Sequence, residues 1–337
     1  MNFWNKKRVA LLGGANLIGT HLARELVKRG ALVLVADNLS VGKENNIPEG
    51  AHFMKSDLRD YRDAIDAVSG QEIVFHLAAQ HGGRGYVSGG HDVELYDNLD
   101  LDATIFRACA KERVERVIFS SSACAYPIDL QGNSDDIVFL KEDMIDYKNI
   151  RQADGAYGTE KLVGELMLDA HIVRGLFKGC STRSFTVYGE LIGETHAIGA
   201  LISKAFIKQD PFEIWGNGRS IRNWTHVDDN VSGALLAAER LDRGAINIGV
   251  EERITPLIAA QTIFSIVGWQ PNEIKFLTDK PVGSNNRVAD ASKLKALGWK
   301  QEVPFGVGLR RTIEWYFETH RVEDVKENFE RKLTEVV

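Results

Sequence analysis

Short apolar runs alternate with segments of helical period through the first half of the chain: "RVALLG", "NLIGTHLARELVKRG", "ALVLVAD", then "HFMKSD", "EIVFHLA", a long segment from Asp92 to Arg113, and "RVIFSSS". The runs are apolar at consecutive positions, which predicts strands buried on both faces, in a parallel sheet covered by helices on each side. From about Thr186 the rhythm loosens. "IGALISKAFIKQ" predicts a helix, "PFEIWGNG" a strand and turn, "NVSGALLAAERL" a helix and "AINIG" a strand. The expected fold is α/β: a Rossmann-type doubly wound parallel sheet with a smaller, interleaved α/β region. The expected division assigns residues 1–185 and 224–250 to a dinucleotide-binding domain, and 186–223 and 251–330 to a substrate domain.

Composition narrows this picture. The 337 residues, 44% hydrophobic, suffice for a large α/β unit or two domains. No run approaches the ~20 apolar residues of a membrane span. The apolar run in "MNFWNKKRVALLGG" is too short for a leader, so a cytoplasmic location is expected. A net charge of -6 without a basic stripe argues against nucleic acid as the main partner. Three cysteines at unrelated spacings do not make a disulfide framework. Cys109 and Cys180 lie in core-like patterns. Cys124 sits in "FSSSACAYP", where a strand runs out into a polar loop, and reads either as a small packing residue or as a chemical group.

At the join of the first strand and first helix, "LLGGANLIG" carries Gly13, Gly14 and Gly19, which suit a tight turn and close approach of backbone N–H groups to a pyrophosphate. Asn16 replaces the middle glycine of that spacing; it tolerates unusual backbone angles, but its side chain could crowd a phosphate. Asp37, closing "ALVLVAD", stands where a carboxylate binds the adenosine ribose and repels a 2′-phosphate, favouring NAD over NADP. Asp57, in "KSDLRD", suits the adenine amino group or else caps a helix. In "DGAYGTEKLVGELMLDAH", Tyr157 and Lys161 are four residues apart and share a helix face. A phenol near pKa ~10 is a poor base, but an ammonium and a bound nicotinamide cation would favour its phenolate. No metal is expected: His81 and His91 lack companions at ligand spacing.

These motifs, with "HLAA", "RSFTVYG", "RNWTHVDD" and "NNRVADASKLKALGW", give a chain that resembles the extended short-chain dehydrogenase/reductase family, the sugar-nucleotide epimerases and dehydratases. The resemblance implies a bound NAD lined by Gly13, Asn16, Leu17, Ile18, Gly19, Asp37, Asn38, Asp57, Leu58, Leu77, Ala78, Ala79, Tyr157 and Lys161. It implies a nucleotide-diphosphate sugar near Ser122, Ala123, Cys124, Thr186 and Trp215, with Ser122 on the reacting hydroxyl beside the tyrosine. Arg222 and Arg287 would hold its phosphates; read without the family, either is a surface ion pair. It also implies a homodimer through the helices from Asp92 and around Tyr157.

Within the family, Ala123-Cys124 stand where dehydratases carry an acidic pair, which disfavours 4,6-dehydration. "SSACAYP", "AAQHGGRGYV" and "EIWGNGRSIRNWTHVDD" are similar to the GDP-mannose 3,5-epimerase branch, with Gly82, Gly83 and Arg84 in a loop that meets the sugar. Once C4 is a ketone, the C3 and C5 protons are acidic, and inversion needs a base on one face and an acid on the other. A thiol can be one of them. Where that branch uses a lysine as the second, this chain has His196, with Lys204 matching a substrate lysine. The expected activity is an NAD-dependent epimerase inverting C5, or C5 and C3, of a GDP-mannose-like sugar. The alternatives are a UDP-sugar 4-epimerase, another oxidoreductase or 5,6-dehydratase of such sugars, and an idle NAD-binding regulatory module.

Overall fold

A computed structural model describes residues 2–80, 92–132, 137–280 and 282–334. Among these residues the main sheet has seven strands, in the spatial order Ala245–Ile248, Lys178–Ser184, Arg116–Ser122, Ile73–His76, Arg8–Leu12, Leu32–Asp37 and Ala51–Lys55. Every pairing in it is parallel. This is the doubly wound sheet that consecutive apolar positions predict. The last strand departs from the expectation of burial on both faces: Ala51–Lys55 lies at the sheet edge and none of its residues is buried. An edge strand has one hydrogen-bonded neighbour and less cover, so His52 and Lys55 stay in water.

Helices Leu17–Lys28 and Val227–Arg240 pack on one face of the sheet, burying Leu22, Leu26 and Leu235. Helices Asp92–Lys111 and Gly155–Val173 cover the other, with Ile105, Phe106 and Leu168 in the core. A third core, around Ile202, Phe212, Ile263 and Ile313, belongs to the later elements. There Phe212–Trp215 pairs with Ile274–Leu277, and Ile221–Arg222 with Asn286–Ala289, in a register that sets Arg222 opposite Arg287. The helix, strand and turn read from "IGALISKAFIKQ" and "PFEIWGNG" are present as Ala197–Phe206 and Phe212–Trp215, followed by Gly216 and Gly218 at positive φ.

The sheet winds outward in both directions from Arg8–Leu12, so the chain leaves Leu12 and His76 toward opposite faces and opens a crevice between their carboxyl ends. Beside it, Arg183 is fully buried against Glu165 at 2.7 Å. Ser121 and Tyr147 donate to the same carboxylate at 2.5 and 2.8 Å, and Arg183 also donates to Tyr126 Oη and the Glu142 carbonyl. None of the described helices is long and apolar enough to cross a membrane.

Candidate active site

Gly13 turns at φ +77, and a Cβ there would lie 2.5 Å from Ala78 Cα, so the two strand ends approach as only glycine permits. Asn16 does not crowd this turn. Its side chain folds back, accepting from the Gly19 N–H at 3.2 Å and donating to the Gly13 carbonyl at 2.9 Å, as the N-cap of helix Leu17–Lys28. The first-turn N–H groups of Leu17 and Ile18 have no carbonyl a turn behind them, which makes this end an anion cradle.

Asp37 is buried at the end of its strand; it accepts from the Ala15 N–H at 2.9 Å and the Leu39 N–H at 2.8 Å, tying the strand end to the glycine turn. Asn38 accepts from the Ser40 N–H. Asp57 is half exposed and pairs with Arg59 at 2.7 Å, which holds its carboxyl below the usual range. The helix cap offered as its other role belongs to Asp60. Leu58 is buried, and Leu77 follows the strand with its N–H on the Leu12 carbonyl, leading to Ala78 and Ala79. Cradle, ribose carboxylate and narrow wall together fit a dinucleotide.

Across the crevice, Arg116–Ser122 ends in a single turn, Ala123–Ala125. Ser122 accepts from the Cys124 N–H at 3.1 Å and is hydrogen-bonded to Tyr157. Gly158 lets the helix carrying Tyr157 close on this turn: a Cβ there would lie 2.2 Å from the Cys124 carbonyl oxygen. Burial pushes the Tyr157 phenol up; the Lys161 charge and the Ser122 hydrogen bond oppose it. Lys161 Nζ is 5.5 Å from the Tyr157 ring centroid and 4.9 Å from that of Phe119. Burial would lower the Lys161 ammonium, but Glu160, Tyr157 and Asp102 outweigh it and the net direction is up.

Cys124 is half-buried, unlike Cys109 and Cys180, whose thiols burial pushes up, Cys180 to about 12. Arg287 donates from Nη1 to Cys124 Sγ at 3.0 Å, from Nη2 to Asp154 at 2.6 Å and from Nε to Gln131 at 2.7 Å. It is therefore no surface ion pair, and its fixed charge stands against the sulfur. Arg222 donates to the carbonyls of Ile221, Val282, Ser284 and Asn285, which also removes the surface reading. Neither Asp154 nor Gln131 stands out in the sequence. Asp154 precedes the Tyr157 helix where a capping carboxylate is ordinary, and nothing local announces its arginine.

The second region supplies the rest. His196 precedes helix Ala197–Phe206, and burial pulls its imidazole below the ordinary value. Lys204 is buried, donating to the Glu213 carbonyl at 2.7 Å, and burial lowers its ammonium too. Trp215 is partly exposed at the end of its strand. Thr186 sits at φ +38, strained for a β-branched residue, with its carbonyl on the Thr225 N–H. Gly82, Gly83 and Arg84 lie outside the described residues. Among the described residues no three His, Cys, Asp or Glu side chains could hold a metal ion.

Comparison with known proteins agrees with this geometry. The model of the NAD dependent epimerase/dehydratase family matches residues 9–249. GDP-mannose 3,5-epimerase 1 of Oryza sativa subsp. japonica is 30% identical over 347 residues, spanning 99% of this chain and 86% of that one. The crystal structure of UDP-glucose 4-epimerase with UDP-glucose from Thermotoga maritima gives a TM-score of 0.81 at 26% identity, covering 92% of this chain and 99% of that one. UDP-glucose 4-epimerase of Thermus thermophilus, in complex with NAD, gives 0.81 at 25% identity, covering 93% and 100%.

Proposed function

The chain belongs to the NAD dependent epimerase/dehydratase family, and from that premise we propose that it epimerises a nucleotide-diphosphate sugar through a transient ketone at C4. The observation that carries this reading is the joining of Tyr157, Ser122 and Lys161 across the crevice from the glycine turn. Ser122 orients the C4 hydroxyl, and Tyr157 takes its proton. Lys161 stabilises the phenolate left behind. NAD, when bound, supplies the acceptor for the hydride of C4 and returns it, so no external reductant is consumed. The residues that would hold it are the turn Gly13–Asn16–Leu17–Ile18–Gly19, Asp37 with Asn38 at the ribose, Asp57 and Leu58 at the adenine, and the wall Leu77–Ala79.

For the step after oxidation, the likeness to two UDP-glucose 4-epimerase structures moves the weight to inversion at C4 of a UDP-sugar, ahead of the inversion at C5 expected from sequence. Inversion at C4 asks only that the ketone turn over in the site and accept its hydride on the other face. A second reading, inversion at C5, or at C5 and C3, of a GDP-mannose-like sugar, has its own support. Cys124 stands beside Ser122 with its sulfur on Arg287, and the rice relative is a GDP-mannose 3,5-epimerase. In that reading Cys124 and His196 exchange the ring protons, Arg222 and Arg287 hold the phosphates, and Lys204 contacts the substrate.

We extend the proposal to the division of the chain into residues 1–185 with 224–250, and 186–223 with 251–330. It also includes a homodimer through helices Asp92–Lys111 and Gly155–Val173, which leave Tyr96 and Leu166 exposed. The test is incubation in D2O with UDP-glucose, UDP-galactose and GDP-mannose, read by NMR. Inversion at C4 without deuterium supports the first reading. Deuterium at C5, lost in Cys124→Ala, replaces it with the second. No turnover of any nucleotide sugar overturns both.

A further inference from the structure

Three titratable side chains meet behind Lys161, and the chemistry above uses none of them. Glu160 is the residue before Lys161, Asp102 comes from the neighbouring helix Asp92–Lys111, and His76 ends its strand; all are buried. Asp102 reaches the other helix because residue 164 is glycine: a Cβ there would lie 2.6 Å from Asp102 Oδ2. Asp102 and Glu160 lie close enough for each to act on the other's charge. Yet neither oxygen of Glu160, nor Asp102 Oδ2, has a donor among the described residues. Two neighbouring carboxyls, buried and short of donors, do not both ionise, so one proton stays between them.

The surrounding groups do not supply that proton. His76 Nε2 lies 2.7 Å from Asp102 Oδ1 and its Nδ1 has no partner among the described residues. Burial and the Lys161 charge pull the His76 imidazole down to about 3, so it is neutral and has a single N–H to offer the cluster. Lys161 Nζ lies 3.3 Å from Glu160 Oε1 as an ion-pair partner outside hydrogen-bond geometry. Phe119 and Phe106 pack edge-on against His76 and keep the cluster apolar.

We propose that Glu160 and Asp102 share one proton and act together as a single negative charge behind Lys161, a positioning pair that keeps the ammonium charged while leaving part of its field for Tyr157. With both carboxyls ionised, two buried negative charges would face one ammonium and the phenolate would be disfavoured. With both neutral, the buried ammonium would lose its counter-charge. One proton, exchanged with solvent, moves the site between these states. Burial, against the pull of Lys161, raises Asp102 to about 7 and Glu160 to about 8, which puts loss of the proton on the alkaline side of neutrality. The groups that face the pair are Lys161 and Tyr157 from the helix of Glu160, His76 from the sheet, and Cys124 beyond the tyrosine.

The role rests on Tyr157 and Lys161 being the reacting groups; the shared proton does not. Infrared spectroscopy of the wild-type protein, in separate samples carrying [13C]Asp or [13C]Glu, is expected to show a protonated-carboxyl stretch above the carboxylate band. That stretch should respond to both labels and disappear on alkaline titration, whether or not any sugar is turned over. Absence of such a band at neutral pH overturns the proposal and leaves the epimerase reading intact. Asp102→Asn and Glu160→Gln should each remove the band and move the alkaline limb of kcat/KM upward by a pH unit or more, a tenfold gain at a fixed pH on that limb. A limb that stays in place in both variants, with the band lost, overturns the positioning role.

Discussion

Helix Gly155–Val173 carries two buried ionic clusters little more than one turn apart, and they are built on opposite plans. At Glu165 every oxygen has donors: Arg183 donates twice, Ser121 and Tyr147 once each, and Arg183 spends its remaining donors on Tyr147, Tyr126 and a carbonyl. Burial pushes the Glu165 carboxyl up, but these partners prevail and hold it below the ordinary range. At Glu160 and Asp102 the carboxyls outnumber the donors, and both stay raised. A fully satisfied network fixes one arrangement of strand ends; a network short of a donor holds a proton that can leave. The first cluster braces the site, and the second belongs to its chemistry.

The contrast can be broken from either side. The largest effect is expected for Tyr157→Phe: turnover of whichever nucleotide sugar is the substrate should fall about 10²–10⁴-fold, with an unchanged melting temperature. An equal loss of stability would make the tyrosine structural. Arg183→Met should do the reverse. It leaves Glu165 buried without its counter-ion, which costs about 3–5 kcal/mol, read as a drop in the denaturation midpoint. Retained stability would show that the brace is dispensable.

Asp102→Asn tests the other cluster through pH. The pair holds one proton in the fold that the unfolded chain has released, between about pH 4 and 8. Its stabilisation is complete below that window and is lost as pH rises through it, at up to about 1.4 kcal/mol per pH unit. The variant should flatten that slope in denaturant melts at a series of pH values; an unaltered slope would contradict the raised carboxyls. Asp57→Ala should matter least. This carboxylate is half exposed and already paired with Arg59, so NAD affinity by titration calorimetry should weaken only severalfold, whereas a loss beyond a hundredfold would give Asp57 the central role read here for Asp37.

Local physics makes part of the site legible in one dimension. Glycines at a strand-to-helix join, a carboxylate closing the next strand, and a tyrosine four residues before a lysine are short-range patterns, and each states its geometry through helix period or backbone freedom. From the chain alone Asn16 is a hazard to the phosphate, because a side chain in a glycine position reads as an obstruction. In the fold that side chain is part of the turn. Arg287 stands against Cys124, 163 residues away in the chain, a contact that no local pattern announces.

By itself, then, the sequence determined the α/β class and the NAD cofactor, and it marked the glycine turn and the pair Tyr157 and Lys161 as candidates, since all of these depend on neighbours within one element or one turn. Which groups surround that pair was decided only by the tertiary structure. The approach of Asp102 through Gly164, the closure of Gly158 on Cys124, and the clamp of Arg287 by Asp154 and Gln131 are meetings of distant segments. The charge of a buried group follows from the donors that packing leaves within reach, and a sequence pattern carries no record of those.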